Sequence, residues 1–210
     1  EEPDEQEKAE KIEILEILVF LYLRGDIVPI AIGIRFGDES AFSLEPNIPY
    51  GWIKKGKEME VPTTASRTRI NILGAINLEN MSVVAEDCGK SINSQSIIGF
   101  FDSIKEVYSG KNVIHVILDQ ASYNKSFEVR DHAFKLGIHL HYLPPYSPNL
   151  NSIERLWKVM NEKVRNNVFF ESAKKFKMSI KQFFDAELPK LLPNLRSRIN
   201  DKFHIKKTVN

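Results

Sequence analysis

Hydrophobic residues follow a short period in five segments of the chain, which predicts five β-strands. The segments are 27–36, 69–78, 82–85, 113–118 and 138–143. Apolar and polar residues alternate along 69–78, as expected for a half-buried antiparallel strand that pairs with 82–85. Residues 113–118 are almost continuously apolar, which is typical of a central parallel strand covered on both faces.

Apolar residues at helical spacing separate and follow these strands. The predicted helices cover residues 4–24, about 93–108, about 125–136, a segment after Pro148, and a basic region from 172 towards 205. The helix after Pro148 has an apolar stripe formed by Ile153, Leu156, Trp157, Met160 and Val164. Antiparallel strands are thus followed by βαβα units. We predict an α/β domain with a mixed five-stranded sheet flanked by helices.

The composition is that of an ordinary globular domain. The chain has 210 residues, 42% hydrophobic and 27% charged, which excludes a disordered tail, a coiled coil and a collagen-like repeat. Its apolar runs are too short to cross a bilayer, which takes about 20 residues per helix, so we expect a soluble protein. The single cysteine, Cys88, excludes a disulfide framework and suits a reducing compartment.

The chain begins at Glu1 without a methionine, and we expect it to be a fragment of a longer gene product. Residues 1–26 are interpreted as an N-terminal helical linker remnant. Residues 27–208 are interpreted as one domain with a basic helical C-terminal part.

Charge is distributed unevenly along the chain. Residues 1–30 carry nine acids and three bases, whereas residues 155–210 carry fourteen bases and five acids. Clustered bases on helices are typical of a surface that binds a polyanion, although a solvated helix face has the same composition. The C-terminal part is therefore the candidate for nonspecific backbone binding.

Three carboxylates are the candidates for chemistry. Asp38 and Asp119 follow predicted strands, and Glu154 lies near the start of the helix after Pro148. Ligand sites in open α/β sheets form beyond the carboxyl ends of the strands, so the two aspartates meet if their strands are neighbours. Carboxylates without cysteine or paired histidine ligands favour Mg²⁺ or Mn²⁺ over zinc. His139 and His141 lie on the same side of one strand, but no third zinc ligand is evident.

Each carboxylate also has a structural interpretation. Asp38 could begin a turn, and Asp119 could begin a turn or cap the following helix. Glu154 stands three residues after Asn151, as in a capping box, and four before Lys158, as in a helical ion pair. None of the three is persuasive alone.

A longer set of motifs surrounds these carboxylates. The string Leu-Pro-Pro-Tyr-Ser-Pro-Asn-Leu-Asn-Ser-Ile-Glu-Arg-Leu-Trp covers 143–157, and thirty-four residues separate Asp119 from Glu154. Gly-Asp-Glu-Ser at 37–40, Gly-Trp-Ile-Lys-Lys-Gly at 51–56 and Asn-Ile-Leu-Gly-Ala-Ile-Asn at 71–77 complete the pattern. Over about residues 30–205 the chain resembles mariner-superfamily DDE transposases, in particular the bacterial branch named after insertion sequence 630.

This resemblance implies an RNase H-like catalytic core whose Asp38, Asp119 and Glu154 hold two Mg²⁺ or Mn²⁺ ions. Two such ions, about 3.5–4 Å apart, activate the attacking oxygen and stabilise the leaving one in phosphodiester transfer. The implied function is DNA cleavage and strand transfer in DNA transposition, by a homodimer acting on double-stranded transposon ends and target DNA. Neither a membrane nor a small-molecule substrate is expected, and the expected location is the bacterial cytoplasm, in association with the nucleoid.

The DNA-binding candidates are basic or polar residues near the carboxylates or in the C-terminal part. They are Lys54, Lys55, Lys57, Lys158, Asn161, Arg165, Lys174 and Lys175. A wider nonspecific backbone-binding set adds Lys177, Lys181, Arg196, Arg198 and Lys202.

The chain departs from the family pattern near the proposed metal site. Gln120 stands where the family commonly has Asn, Asn124 where it often has His, and Ser152 where Pro is common. A helix-turn-helix region that recognises element ends is not expected in this chain. The alternative function is therefore a catalytically decayed or repurposed fragment that only binds DNA or a partner. A hybrid-cleaving RNase H-type nuclease, sharing the metal site, is a third possibility.

Overall fold

The strands form one mixed sheet in the computed structural model, which describes residues 29–33, 70–89, 91–143 and 151–199. Its strands are β1 (Pro29–Gly33), β2 (Ile72–Asn77), β3 (Val83–Asp87), β4 (Ile114–Leu118) and β5 (Ile138–Tyr142). The spatial order is β3-β2-β1-β4-β5. β2 runs antiparallel to β1 and β3, whereas β4 runs parallel to β1 and β5. The α/β class and the mixed sheet predicted from the sequence are confirmed.

Helices follow β3, β4 and β5 along the chain. They are α1 (Ser94–Val107), α2 (Phe127–Lys135), α3 (Ile153–Met160), α4 (Ala173–Gln182) and α5 (Leu188–Leu195). A 3₁₀ turn, Ser122–Lys125, precedes α2, and π-helical turns follow α3 and α4 at Asn161–Arg165 and Phe183–Glu187. Serine and asparagine side chains cap α1, α2 and α4 by accepting a backbone N–H in the first turn. The helix predicted over 4–24 lies outside the described residues.

The sheet separates two hydrophobic cores. Ile72 and Ile76 of β2 pack in the core formed with α3, α4 and α5, whereas Leu73 and Ala75 pack in the core that contains α1 and α2. All six residues of β2 are buried. The prediction that this strand is half-buried was therefore wrong, because helices cover it on both faces and even its polar Asn77 is buried.

The strand β4 is internal but its two faces differ. Ile114, Val116 and Leu118 are fully buried, whereas His115 and Ile117 on the other face are only half-buried. The predicted burial on both faces is thus confirmed for one face only. The central strand of the sheet is β1, since β4 lies one place nearer the β5 edge.

A close contact at Gly74 sets the distance between α3 and the sheet. A Cβ atom at this position would lie 2.4 Å from Cη2 of Trp157 and 2.7 Å from its Cζ2. Only glycine therefore lets the indole approach β2 this closely. Trp157 is three residues after Glu154 on the same helix, so this contact helps to position the helix that carries Glu154. In the described part of the chain, no helix is long and apolar enough to cross a membrane.

Candidate active site

Asp119 lies at the carboxyl edge of the sheet, immediately after β4. The parallel register pairs Ile32 of β1 with Leu118 of β4. Gly33, the last described residue of β1, therefore lies at the level of Asp119. Adjacent strands were the condition for bringing the two aspartates together, and β1 and β4 are neighbours. Asp38, five residues beyond Gly33, lies outside the described residues.

The Asp119 carboxylate is oriented by two hydrogen bonds to a single oxygen. Its Oδ1 accepts the backbone N–H of Ala121 at 3.0 Å and the side-chain Nδ2 of Asn124 at 2.8 Å. The first bond is an Asx turn, so the turn interpretation of Asp119 is confirmed. The capping interpretation was wrong, because Ala121 and Ser126 are the N-cap residues of the 3₁₀ turn and of α2. No described residue is hydrogen-bonded to Oδ2 of Asp119.

Asn124, one of the departures from the family pattern, is a structural partner of Asp119. It is completely buried, and Nδ2 also approaches the Asp119 carbonyl oxygen at 3.4 Å. Its own carbonyl accepts the Tyr142 hydroxyl at 2.9 Å, which ties the turn to β5. Its Oδ1 is buried and has no hydrogen-bond partner among the described residues. A donor five residues after a strand-end aspartate was the sequence signal for this role.

Glu154 lies in the first turn of α3 and is half-buried. The residues of the predicted stripe, Ile153, Leu156, Trp157, Met160 and Val164, are all buried. The N-cap residue of α3 is Ser152, and its side chain makes no capping bond. Glu154 therefore lies two residues after the N-cap, whereas the glutamate of a capping box lies three residues after it. Lys158 is exposed and forms no ion pair with a described residue. The helix α3, which contains Glu154, packs against β1 and β2. It therefore contacts the strand that precedes Asp38.

The donor set fits a hard divalent cation. Asp119 directly after β4 and Glu154 in the first turn of α3 carry carboxylate oxygens, the donor type that Mg²⁺ and Mn²⁺ prefer. In the described ranges there is no group of three or more histidine, cysteine, aspartate or glutamate side chains placed to hold a metal. The third carboxylate of a three-carboxylate site would therefore come from outside the described ranges, where Asp38 lies.

The structure adds His115 to the two histidines that the sequence singled out. Nδ1 of His115 lies 2.8 Å from Nε2 of His141, with the rings stacked, and the His139 ring lies 5.1 Å away from that of His115. Burial, together with the two neighbouring rings, lowers the pKa of His141 to about 4. Burial and His139 also lower the pKa of His115. The rings of His115 and His141 are therefore neutral at physiological pH.

Many of the predicted DNA-binding bases are engaged within the protein. Lys175 pairs with Glu171, Lys177 with Asp87, and Lys181 with Asp185, and Arg198 pairs with Glu162. Arg165 donates to Asn161 Oδ1 at 3.2 Å, and burial lowers the pKa of its guanidinium. Lys158 and Lys174 are exposed on α3 and α4.

Lys54, Lys55, Lys57 and Lys202 lie outside the described residues, as does the proline-rich box over 144–150. Lys125 is a further basic residue near Asp119 that was not among the predicted DNA-binding residues. Its ammonium donates to Gln120 at the same edge of the sheet. Its signal was a lysine directly after Asn124.

Comparison with known proteins identifies the family of this chain. A family model described as DDE superfamily endonuclease matches residues 33–177. The Insertion element IS630 uncharacterized 39 kDa protein of Shigella sonnei is 24% identical over 155 residues. That match covers 73% of this chain but 45% of the relative, so the chain spans less than half of the relative's length.

Solved structures share the fold. The Mos1 transposase paired-end complex with left transposon end has a TM-score of 0.64 at 15% identity, covering 97% of this chain and 65% of that one. The catalytic domain of Mos1 mariner transposase has a TM-score of 0.60 at 15% identity, covering 94% and 92%. Since the family model spans more than half of the sequence, the chain belongs to the DDE superfamily endonucleases.

Proposed function

We propose that this chain is the catalytic domain of a DNA transposase that uses divalent metal ions to cleave DNA and transfer strands. The observation that carries the proposal is the position of Asp119. This residue directly follows β4, beside the carboxyl end of β1, and one of its carboxylate oxygens has no described partner. Family membership and the fold shared with Mos1 support it. We assign the domain to residues 27–208, with an RNase H-like sheet of five strands as its core.

Three carboxylates are proposed as the catalytic and metal-binding residues: Asp38, Asp119 and Glu154. Solved Mos1 structures contain Mn or Mg, and the all-oxygen donor set of this chain suits either ion. When bound, a pair of such ions supplies charge stabilisation for the attacking and leaving oxygens of a phosphodiester. Asn124 and the Ala121 N–H hold the Asp119 carboxylate in place, and packing of α3 through Trp157 holds Glu154.

DNA is the proposed substrate, bound as transposon ends and target. Mos1 has been solved as a complex with its left transposon end. In this chain the exposed Lys158, four residues after Glu154, and Lys174 are proposed to contact phosphates, together with Lys54, Lys55, Lys57 and Lys175. Asn161 and Arg165 support that surface by their mutual hydrogen bond. A homodimer and a location with bacterial DNA in the cytoplasm complete the proposal.

A nicking assay tests the activity directly. The chain is incubated with supercoiled plasmid and Mn²⁺, and the appearance of open-circular DNA is measured beside Asp119→Asn and Glu154→Gln variants. We expect nicking by the unmodified chain and its loss in both variants, since each removes a carboxylate charge. Nicking that persists in both variants at full rate overturns the assignment.

Two further measurements separate the alternatives. The first is calorimetric titration of Mn²⁺ into the unmodified chain and into Glu154→Gln. An active enzyme should bind the ion more weakly after the substitution, whereas a decayed copy that only binds DNA should show no binding that depends on Glu154. An RNase H-type nuclease instead cleaves the RNA strand of a hybrid faster than it nicks duplex DNA. Asn124 favours the active enzyme, because its side chain keeps Asp119 oriented despite the departure from the family pattern.

A further inference from the structure

The ammonium of Lys125 is held at the sheet edge where β4 and β5 end. Lys125 closes the 3₁₀ turn after Asp119 and is exposed. Its Nζ donates to Oε1 of Gln120 at 2.7 Å and lies 6.0 Å from the centre of the Tyr142 ring. A lysine side chain has many rotamers, so two fixed neighbours reduce the entropy it loses when it binds an anion.

Both neighbours are themselves fixed. Gln120 Nε2 donates to the Leu143 carbonyl oxygen at 2.9 Å, so the amide nitrogen faces that carbonyl and the amide oxygen faces the ammonium. The Leu143 N–H in turn donates to Leu118 O at 2.8 Å, which joins this strand end to β4. Tyr142 is fixed by the bond from its hydroxyl to the Asn124 carbonyl.

Lys125 differs in its partner from the described lysines that form ion pairs. Lys135, Lys175, Lys177 and Lys181 are each paired with a carboxylate. Lys125 has no acidic partner among the described residues, and its one acceptor is a neutral amide oxygen. No described carboxylate therefore compensates its charge, and two of its three N–H donors have no acceptor in the described part of the chain.

We infer that Lys125 binds a backbone phosphate of DNA beside Asp119, with Gln120 and Tyr142 as the residues that position its ammonium. This inference rests on the proposed function, because the ligand is the same DNA. A compact ammonium binds phosphate as a point charge, and Lys125 lies six residues after the proposed metal ligand, on the turn whose Asn124 bonds that ligand. A phosphate bound at Lys125 brings the DNA strand to the carboxyl edge of the β-sheet.

The test measures DNA binding without any divalent ion. Fluorescence anisotropy of a labelled duplex of random sequence is recorded in EDTA between about 50 and 200 mM salt for the unmodified chain and three variants. Lys125→Met removes the charge, and Gln120→Met removes only the orienting amide. Lys135→Met is the matched control, since Lys135 is also exposed but pairs with Asp131 at 2.6 Å. Thermal melts establish that each variant is folded.

We expect Lys125→Met to weaken binding about 3- to 10-fold and to lower the salt slope by about one. Gln120→Met weakens binding by less and leaves the slope unchanged, because the ammonium remains. Lys135→Met matches the unmodified chain. The inference is overturned by equal affinity and slope for Lys125→Met, or by the absence of DNA binding in the unmodified chain.

A nicking assay on the unmodified chain and on Asp119→Asn distinguishes a failure of this inference from a failure of the proposed function. If the unmodified chain binds DNA through Lys125 but does not nick it, the phosphate site stands and the enzyme assignment fails. If it nicks in an Asp119-dependent way while Lys125→Met binds normally, the enzyme assignment stands and the phosphate site fails.

Discussion

The side-chain amide of Asn124 donates to Oδ1 of Asp119 at 2.8 Å, and it does so from a completely buried position. A carboxylate that accepts this bond and the Ala121 N–H presents its other oxygen in one direction. Groups that orient a ligand in this way typically change metal affinity by about 10- to 100-fold when they are replaced. The residue that departs from the family pattern thus has a defined part in the geometry of the site.

Replacing Asn124 by leucine should separate metal binding from stability. Leucine has a similar volume but no donor, so Asp119 loses one of its two hydrogen bonds and Mn²⁺ affinity should fall about 10-fold or more. The free energy of unfolding should change by less than about 1 kcal/mol, because the unpaired Oδ1 of Asn124 is removed as well. Calorimetric titration and urea unfolding measure the two quantities.

A control for this experiment is Asn93→Ala, which removes the side chain that caps α1 far along the chain from Asp119. It should cost about 1 kcal/mol of stability and leave Mn²⁺ affinity unchanged. If Asn124→Leu behaves like this control, the orienting role of Asn124 is wrong.

The contact between Gly74 and Trp157 predicts the effect of a single methyl group. Gly74→Ala places a Cβ atom 2.4 Å from the indole, so α3 must move away from β2 at a cost of about 1–3 kcal/mol. Glu154 moves with α3, and Mn²⁺ affinity should fall too. Gly99→Ala, in α1 with nothing within 4 Å of its Cβ, should instead stabilise the chain by up to about 1 kcal/mol.

Shortening the tryptophan tests the cause. In a Gly74→Ala, Trp157→Phe double variant the ring no longer reaches the new methyl group, so the two changes should be less than additive in urea unfolding. Fully additive losses would show that the Gly74 position is sensitive for another reason.

Within the described residues, periodicity predicted the strands and helices well because each is short and bounded by polar residues. The stripe on α3 was found from Ile153, Leu156 and Trp157, whose spacing is purely helical, and the structure buries all three. Burial of β2 on both faces could not be read from alternation, since Gly74 and Ala75 are too small to reveal which face a helix covers. What covers a strand is a property of the tertiary packing.

Parts of the site depended on contacts that hydrophobic periodicity does not show. Asp119 and Glu154 were proposed from motifs, but the bond between Asn124 and Asp119 requires the 3₁₀ turn at 122–125, and hydrophobic periodicity does not predict such a turn. The ion pair between Lys177 and Asp87 joins residues ninety positions apart, so a lysine-rich helix could not be separated into paired and unpaired bases. Placement of Asp38 remains a prediction.

Adjacent lysines on α4 should therefore contribute differently to DNA binding. Lys174 is exposed and forms no ion pair with a described residue, whereas Lys175 is paired with Glu171 one turn earlier. Binding phosphate through Lys175 must break that pair, which offsets part of the gain. Lys174→Ala should lower the affinity for duplex DNA about 2- to 5-fold and reduce the salt slope, and Lys175→Ala should have a smaller effect. Equal losses, measured by anisotropy, would contradict this assignment.

The histidine cluster predicts how stability depends on pH. His141 has a pKa of about 4 in the folded protein, against 6.5 for an unperturbed histidine. Above about pH 7 neither state binds the proton, so the ring makes no pH-dependent contribution. As the pH falls below 6.5, the unfolded chain binds a proton that the folded protein excludes, and the free energy of unfolding decreases until about pH 4. Because solvent reaches the half-buried ring, the loss should be on the order of 1–2 kcal/mol.

The variant His141→Phe removes this titration. Urea unfolding between about pH 7 and pH 4.5, roughly the range over which the two states differ in bound protons, should therefore show the unmodified chain losing more stability than the variant. Parallel pH profiles for the two proteins would mean that the stacked pair with His115 does not exclude the proton.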